Sequence, residues 1–327
     1  MKTMKMPLFI AAAALVASLG LVLPQVVPNP FYFYAGYVIL QYVVLATGWN
    51  ILGGYAGYTN FGASAFFGAG AYTAAYLLQA FEAPMIVQLL GAVAVGIVLG
   101  VATGYLTLRV QGVYFAIATV ALVVVLETAV FNIDALGGAA GLPVLAPPPP
   151  AWFKGQPQYV FFIMLTLAAV AVVIARWIEV SWIGRSLRAI RASEPAAECS
   201  GIPTLRLKLL ACALSGGIMS VAGAPYGTYA LYVDPVSAFG LIIGLNALAM
   251  PLIGGTQSWL GPVIGAVLLA SVQQIATVTI SSEFNILAVG VVLIAFVALA
   301  PDGLLGLRLV RKGAFRPTRK EEGAGAS

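Results

Sequence analysis

Ten apolar runs, each close to the length of a bilayer crossing, follow one another along this chain with short polar breaks between them. That succession leaves it little to become except a bundle of membrane helices. A hydrocarbon core of ~30 Å takes roughly 20 helical residues, and in lipid a spanning segment must pair its own backbone groups, which a helix does. The runs are Leu8 to Val27, Tyr34 to Leu52, Phe61 to Ala80, Met85 to Leu108, Val113 to Ile133, Tyr159 to Ile178, Leu209 to Val233, Phe239 to Ile253, Gly261 to Ile280 and Phe284 to Ala300. With 61% apolar and 8% charged residues and a mean hydropathy of +1.00, no soluble domain of any size fits between them. The expectation is an all-α polytopic protein of eight to ten spans. The range reflects the short run at Phe239, because residues 239–260 are brief enough to enter and leave on one side.

Positive loops are retained on the cytoplasmic side during insertion, so the Lys and Arg ledger orients the bundle. With the N-terminus inside, Lys2, Lys5, Arg109, the group from Arg176 to Lys208 and the tail from Arg308 to Lys320 all fall in the cytoplasm, and of the 16 cations only Lys154 is outside. Glu82, Asp134, Asp234 and Glu283 then sit in external turns. Both termini are expected in the cytoplasm. Residues 1–307 are expected to form one transmembrane domain with an external Gly- and Pro-rich loop at 134–158 and a cytoplasmic loop at 179–208, and residues 308–327 a basic, flexible tail suited to anionic headgroups. The basic balance reports topology, and no nucleic-acid partner is read into it. The start of the chain has the layout of a secretory signal, two lysines before an apolar run, but reads better as an uncleaved first span. Cys199 and Cys212 both lie towards the reducing side, where no disulfide is expected.

What is missing narrows the function. Without a single histidine, His-based triads, histidine metal sites and imidazole relays are excluded. No Lys follows a Gly, so the chain carries no phosphate-cradling G-x-x-x-x-G-K loop, and any ATP with its Mg²⁺ must be bound by another subunit. Glu127 is the one acid well inside a run, fewer than a proton- or sodium-driven carrier usually needs. No metal ligands, catalytic residues or bound cofactor are assigned.

Three segments break the apolar pattern. Asn50 to Tyr76, NILGGYAGYTNFGASAFFGAGAYTAAY, places glycines and polar side chains at membrane depth. Such a stretch either packs backbones closely or lines a wet path. On the second reading Thr59, Asn60 and Ser64, with Gly57 and Gly62, face the substrate pathway. The external loop carries GGAAGLPVLAPPPP: Gly137, Gly138 and Gly141 allow backbone shapes closed to other residues, and the prolines are stiff and extended. It serves as a connector or, with Pro143, as a docking surface. Ile51-Leu52-Gly53-Gly54 is also echoed by Leu252-Ile253-Gly254-Gly255, a faint sign of duplicated halves.

The third segment, WIGRSLRAIRASEPAAECSGIPTLRLK from Trp182 to Lys208, concentrates five cations and two carboxylates. A first helix carries Arg185, Arg188 and Arg191. Ser193 suits the N-cap of a second, Glu194 and Pro195 its first turn, and Gly201 with Pro203 its end. The pair reads as an anchored surface hairpin or as an element seated in a motor subunit.

At these residues the chain resembles a known family. Pro195-Ala196-Ala197-x-x-x-Gly201 is similar to the EAA-type loop by which ABC importer permeases contact their ATPases, with Pro195 where that motif has Glu. More specifically, GRSLRAIRASEPAAECSGI resembles the coupling loop of LivM-type permeases of branched-chain amino acid importers. GGYAGYTNFGASAFFGAGAYTA, GVYFAIATVAL, GGAAGLPV and PDGLLGL resemble further blocks of that family, in its order, from about Gly48 to Leu307. Gly62-Ala63 replaces the family's frequent Gly-His pair, and Pro195 and Pro203 stiffen the loop beyond its pattern.

The resemblance implies a multi-pass permease subunit in the inner (cytoplasmic) membrane, not itself an enzyme. It implies a second related permease, two ATPase subunits and an external binding protein delivering branched-chain or related hydrophobic amino acids. Arg185, Arg188, Arg191, Glu194, Pro195, Ala196, Ala197, Glu198 and Gly201 would then meet the ATPase, with Ala196, Ala197 and Gly201 allowing close approach, and Gly137 to Pro143 would lie near the binding protein. The same machinery would serve urea, short amides or aromatic acids, and a stand-alone carrier or channel is the rival class.

Overall fold

The computed structural model describes residues 6–26, 29–107 and 112–279, together with Gly290 and Leu304. The run from Phe284 to Ala300 apart from Gly290, the basic tail, Lys2, Lys5 and Arg109 lie outside the described residues. In chain order the helices are α1 (Met6–Val26), α2 (Phe31–Asn50), α3 (Ala63–Phe81), α4 (Met85–Thr107), α5 (Val113–Phe131), α6 (Gln156–Val180), α7 (Trp182–Ala192), α8 (Glu194–Cys199), α9 (Thr204–Gly223), α10 (Tyr226–Ala230), α11 (Pro235–Ala238), α12 (Leu241–Gly254) and α13 (Leu260–Thr279). Two short strands, β1 (Leu142–Pro143) and β2 (Tyr232–Val233), pair antiparallel with Leu142 opposite Val233.

Seven segments are long and apolar enough to cross a membrane: Phe31–Tyr55, Met85–Leu106, Val113–Phe131, Gln156–Val180, Thr204–Ala230, Pro235–Gly254 and Leu260–Thr277. Adding α1, with 21 residues, and α3, with 19, gives nine helical segments of spanning length among the described residues. The protein is therefore all-α and multi-pass. α3 stands apart because its glycines, Ser64, Thr73, two tyrosines and Gln79 dilute its apolarity, and it is correspondingly buried by protein rather than lipid. The short run at Phe239 crosses the bundle. It is lengthened by α11, which begins beside β2, and its far end brings the Thr256 carbonyl against Gly54, at the opposite end from β2.

α2 is the axis of the bundle. From Val43 to Asn50 every residue is buried, enclosed by α6, α9, α12 and α13. Leu45, Ile51, Met219 and Met250 meet in one core with Tyr37, whose ring stacks on Tyr229 at 4.3 Å. α2 then widens into a π-turn over Ile51–Tyr55, a local unwinding that frees carbonyl groups. The two Gly-Gly corners noticed in the sequence are neighbours here: a Cβ on Gly54 would stand 2.7 Å from the Thr256 carbonyl oxygen.

Small residues bring the helices together, as expected where lipid gives no hydrophobic drive between them. Gly96, Gly100 and Gly104 form a stripe on α4 at four-residue spacing, and each faces the α9 backbone or Cys212, so that a Cβ on Gly96 would come 2.6 Å from the Gly216 carbonyl oxygen. Gly70 of α3 lies against Ser220 of α9 in the same way. α1 rests on α6, and its Phe9 ring meets Trp259 edge to face with the Arg176 guanidinium 4.6 Å above Phe9.

Candidate functional site

At the end of the bundle that holds every described Lys and Arg except Lys154, α7 and α8 form a hairpin. Local rules build it. Ser181 leaves α6 in an extended conformation and its hydroxyl accepts from the Gly184 amide, capping α7. Gly184 is obligatory, since a Cβ there would run into the Ile178 carbonyl. Ser193 repeats the device, accepting from the Ala196 amide at 3.5 Å with Glu194 and Pro195 in the first turn of α8. The chain turns away at Gly201, φ +79°, a left-handed value glycine adopts freely. Leu187, Ile190 and Ala197 are buried against the bundle.

The charged residues of the hairpin are tied mostly to its own chain. Lys208, on the second turn of α9 and only 3% exposed, places Nζ 2.5 Å from Glu194 Oε1 and donates to Tyr58 Oη at 3.2 Å. Tyr58 Oη in turn donates to Glu194 Oε2 at 2.9 Å. Taking an ammonium out of water costs several kcal/mol, and this triangle supplies the compensation. Burial alone would raise the Glu194 carboxyl, but the hydrogen bonds from Lys208 and Tyr58 and the ammonium charge outweigh it and hold it below the ordinary value of 4.5. Arg191 Nη1 donates to the Gly54 carbonyl that the π-turn exposes, and its side chain packs on Gly57, φ +81°. Arg188 donates to the Glu179 carbonyl at 2.7 Å, Arg185 to that of Val180 at 3.0 Å, and Glu198 accepts from Thr204 at 2.6 Å. Glu179 itself accepts from the Trp259 amide at 2.8 Å, fastening α6 to the turn before α13.

Of the residues expected to meet a motor, Arg185, Arg191, Pro195, Ala196, Glu198 and Gly201 are exposed, Arg188 and Glu194 are half-buried, and Ala197 faces inward. The outward face is thus the Ala192–Pro195–Ala196–Cys199 side of the hairpin. A cavity of about 690 Å³ opens between the hairpin and the Gly-rich segment, lined on one side by Gly57, Tyr58 and Thr59 and on the other by Arg191, Glu194 and Pro195. Two segments read separately in the sequence therefore share one space.

The expected pathway residues divide. Thr59 and Gly57 line that cavity. Asn60 is buried: its Oδ1 accepts from the Gly62 amide at 2.7 Å, while its carbonyl accepts from Trp49 Nε1 at 2.6 Å. Gly62 sits against the Thr119 carbonyl. The Ser64 hydroxyl is fully buried with no hydrogen-bond partner, beside Gly244. At the far end, Gly137, Gly138 and Gly141 all take positive φ and fold two 3₁₀ turns onto β2, with Tyr232 Oη donating to the Ala140 carbonyl. Gly138 and Gly141 are buried there and Pro143 is exposed.

Sequence reasoning did not single out Tyr58, Lys208 or Glu179 as partners, nor Leu145 and Trp152, which stand 92% and 81% exposed beside the proline run. For the last two a signal existed, apolar residues set among prolines. For the first three it did not, since Tyr58 and Lys208 are 150 residues apart.

The sequence profile of the family described as "Branched-chain amino acid transport system / permease component" matches residues 31–298. The LivM permease protein of the high-affinity branched-chain amino acid transport system of Salmonella typhimurium is 24% identical over 335 residues, covering 93% of this chain and 76% of that protein. Its Escherichia coli counterpart is 24% identical over 295 residues, 81% and 67% of the two chains. The LivH permease protein of the Salmonella system is 28% identical over 155 residues, 47% and 49% of the two chains. No solved structure matches.

Proposed function

The chain belongs to the family of branched-chain amino acid transport permease components and is the permease subunit of an ABC importer; from that premise we propose the substrate, the partners and the working surfaces. It passes branched-chain or related hydrophobic amino acids across the inner membrane, paired with a second, related permease. Two ATPase subunits bind the ATP and Mg²⁺, and an external binding protein delivers the substrate. The α7–α8 hairpin is the surface the ATPase grips, on the cytoplasmic side to which the basic end is assigned. The Gly137–Pro143 turns, with Leu145 and Trp152, are the surface the binding protein meets.

The observation that carries the reading is the hairpin: two capped helices, small and charged side chains outward, fastened at their back to the Gly-rich segment. Closure of the ATPases would displace α7 and α8 and open the bundle to the other side, a two-state movement with the hairpin as handle. Small side chains and hydroxyls such as Thr59 and Ser64 suit a zwitterion that must be released again.

Affinity purification in mild detergent tests this. Wild type should recover a second permease and a nucleotide-binding subunit, and Ala196→Arg should lose the latter while the membrane pair stays intact. Ala196 is the better probe than Ala197, because an arginine at the buried Ala197 would unseat the hairpin itself. Uptake that persists with no ATPase present would transfer the reading to a stand-alone carrier.

A further inference from the structure

The triangle of Lys208, Glu194 and Tyr58 joins three separate pieces of chain, Tyr58 far from the other two in sequence. Tyr58 belongs to the Gly-rich segment between the π-turn and α3, Glu194 opens α8, and Lys208 stands near the base of α9. All three contacts are hydrogen bonds between side chains, and each has at least one ionised partner, the kind that is directional and shorter than neutral pairs. Three residues before Glu194, Arg191 holds the Gly54 carbonyl. The Gly-rich segment is thus gripped twice from the hairpin. It is also gripped from the bundle: Trp49 Nε1 holds the Asn60 carbonyl and Thr119 Oγ1 accepts from the Phe61 amide at 3.1 Å. Between these two sets of grips lie Thr59 and the 690 Å³ cavity.

Resting on the importer reading above, we propose that Tyr58, Glu194 and Lys208 are positioning residues forming the joint through which movement of the α7–α8 hairpin is delivered to the Gly54–Asn60 segment. Their polar atoms are spent on one another, so the role needs no contact of theirs with motor or substrate. A displacement of α8 must either break the triangle, exposing a buried ammonium without its partner, or carry Tyr58 and Lys208 with it. The second course costs less, because stranding one member of a buried pair is far more expensive than moving the pair intact. The joint therefore makes opening at Thr59 obligatory on movement of the hairpin, and its loss should uncouple hydrolysis from transport without abolishing either partner's binding.

The test uses the complete complex, with both permeases, both ATPases and the binding protein, reconstituted in liposomes, and reads ATP hydrolysed per leucine taken up. Tyr58→Phe keeps the ring and removes one hydroxyl; Lys208→Met with Glu194→Gln removes both charges together so that neither is stranded. The expected result is a complex that assembles and hydrolyses ATP normally but spends about three to ten times more ATP per leucine, the scale of one net hydrogen bond. Lys208→Arg, which can still reach Glu194, should restore most of the wild-type ratio. An unchanged ratio in both Tyr58→Phe and the double variant overturns the proposal, and so does loss of assembly in Tyr58→Phe, which would make the triangle a folding element only. A wild-type complex that takes up leucine without ATP would instead defeat the importer reading, and the proposal with it.

Discussion

The two ends of the bundle solve the same problem with different materials. Each must hold a glycine-rich loop against elements far away in sequence. At the end that carries β1 and β2 the fastening is largely backbone: positive-φ glycines, 3₁₀ turns and the pairing of Leu142 with Val233. At the basic end it is largely side chain: an ion pair, a tyrosine hydroxyl and an arginine on a carbonyl. Backbone pairing fixes a shape and resists partial change. Side-chain joints on long flexible stems can hold their partners while the elements they link shift. A surface that must present a constant outline suits the first, and one that must pass on movement suits the second.

That contrast can be attacked from either side. The largest effect is expected from Lys208→Met alone, which strands Glu194: a fully buried pair broken in this way costs ~3–5 kcal/mol, and the partial exposure of Glu194 brings it to about 2–3 kcal/mol. Thermal unfolding in detergent should show that loss, and adding Glu194→Gln should recover most of it. If the double variant is no more stable than the single, the two side chains do not act as a pair. Next is Gly141→Ala at the end that carries β1 and β2. Its φ of +72° and ψ of −175° lie where essentially only glycine goes, and the new Cβ would stand 2.6 Å from the Val233 carbonyl oxygen. A cost of about 1–3 kcal/mol should appear as faster proteolysis of the 134–158 loop, with ATPase association unchanged.

Ser193→Ala removes the cap of α8 and should cost about 1 kcal/mol or less, seen as increased hydrogen exchange confined to residues 194–199. The smallest effect is that of mild acid. The Glu194 carboxyl is held below its ordinary value in the folded protein, so its contribution is fully present above the unfolded value and is lost only as pH falls through the lower, folded one. Stability attributable to Glu194 should be flat from about pH 8 to about pH 6. A dependence within that window that disappears in Glu194→Gln would contradict the assigned geometry.

The spans that fall among the described residues and the hairpin were legible in the sequence because the rules behind them are local. Ser193, Pro195 and Gly201 each act within four residues, and the structure puts cap, first turn and stop where those residues call for them. The triangle was not legible. Lys208 reads as one more cation in a basic loop, and nothing within reach of it along the chain announces Tyr58. Asn60 shows the opposite difficulty: a polar residue at membrane depth suggests a wet path, yet its carbonyl and amide are engaged by Trp49 and Gly62. The glycine stripe on α4 lay open in the sequence as three glycines at four-residue spacing, but spacing alone does not say which helix fills the groove.

That stripe has a mechanical consequence. α4 and α9 touch backbone to backbone over Gly96 and Gly100, with Gly104 against the Cys212 side chain, leaving little side-chain cushion that could shear, so the two helices form one strut. Lys208 sits at the foot of that strut, a turn below the Cys212 contact. A push received there is delivered at once to both helices, and so to the whole flank on which α4 turns Ile86, Leu90 and Val98 outward. Thickening the strut by a single methyl at Gly100 would separate its members and leave α9 to move alone.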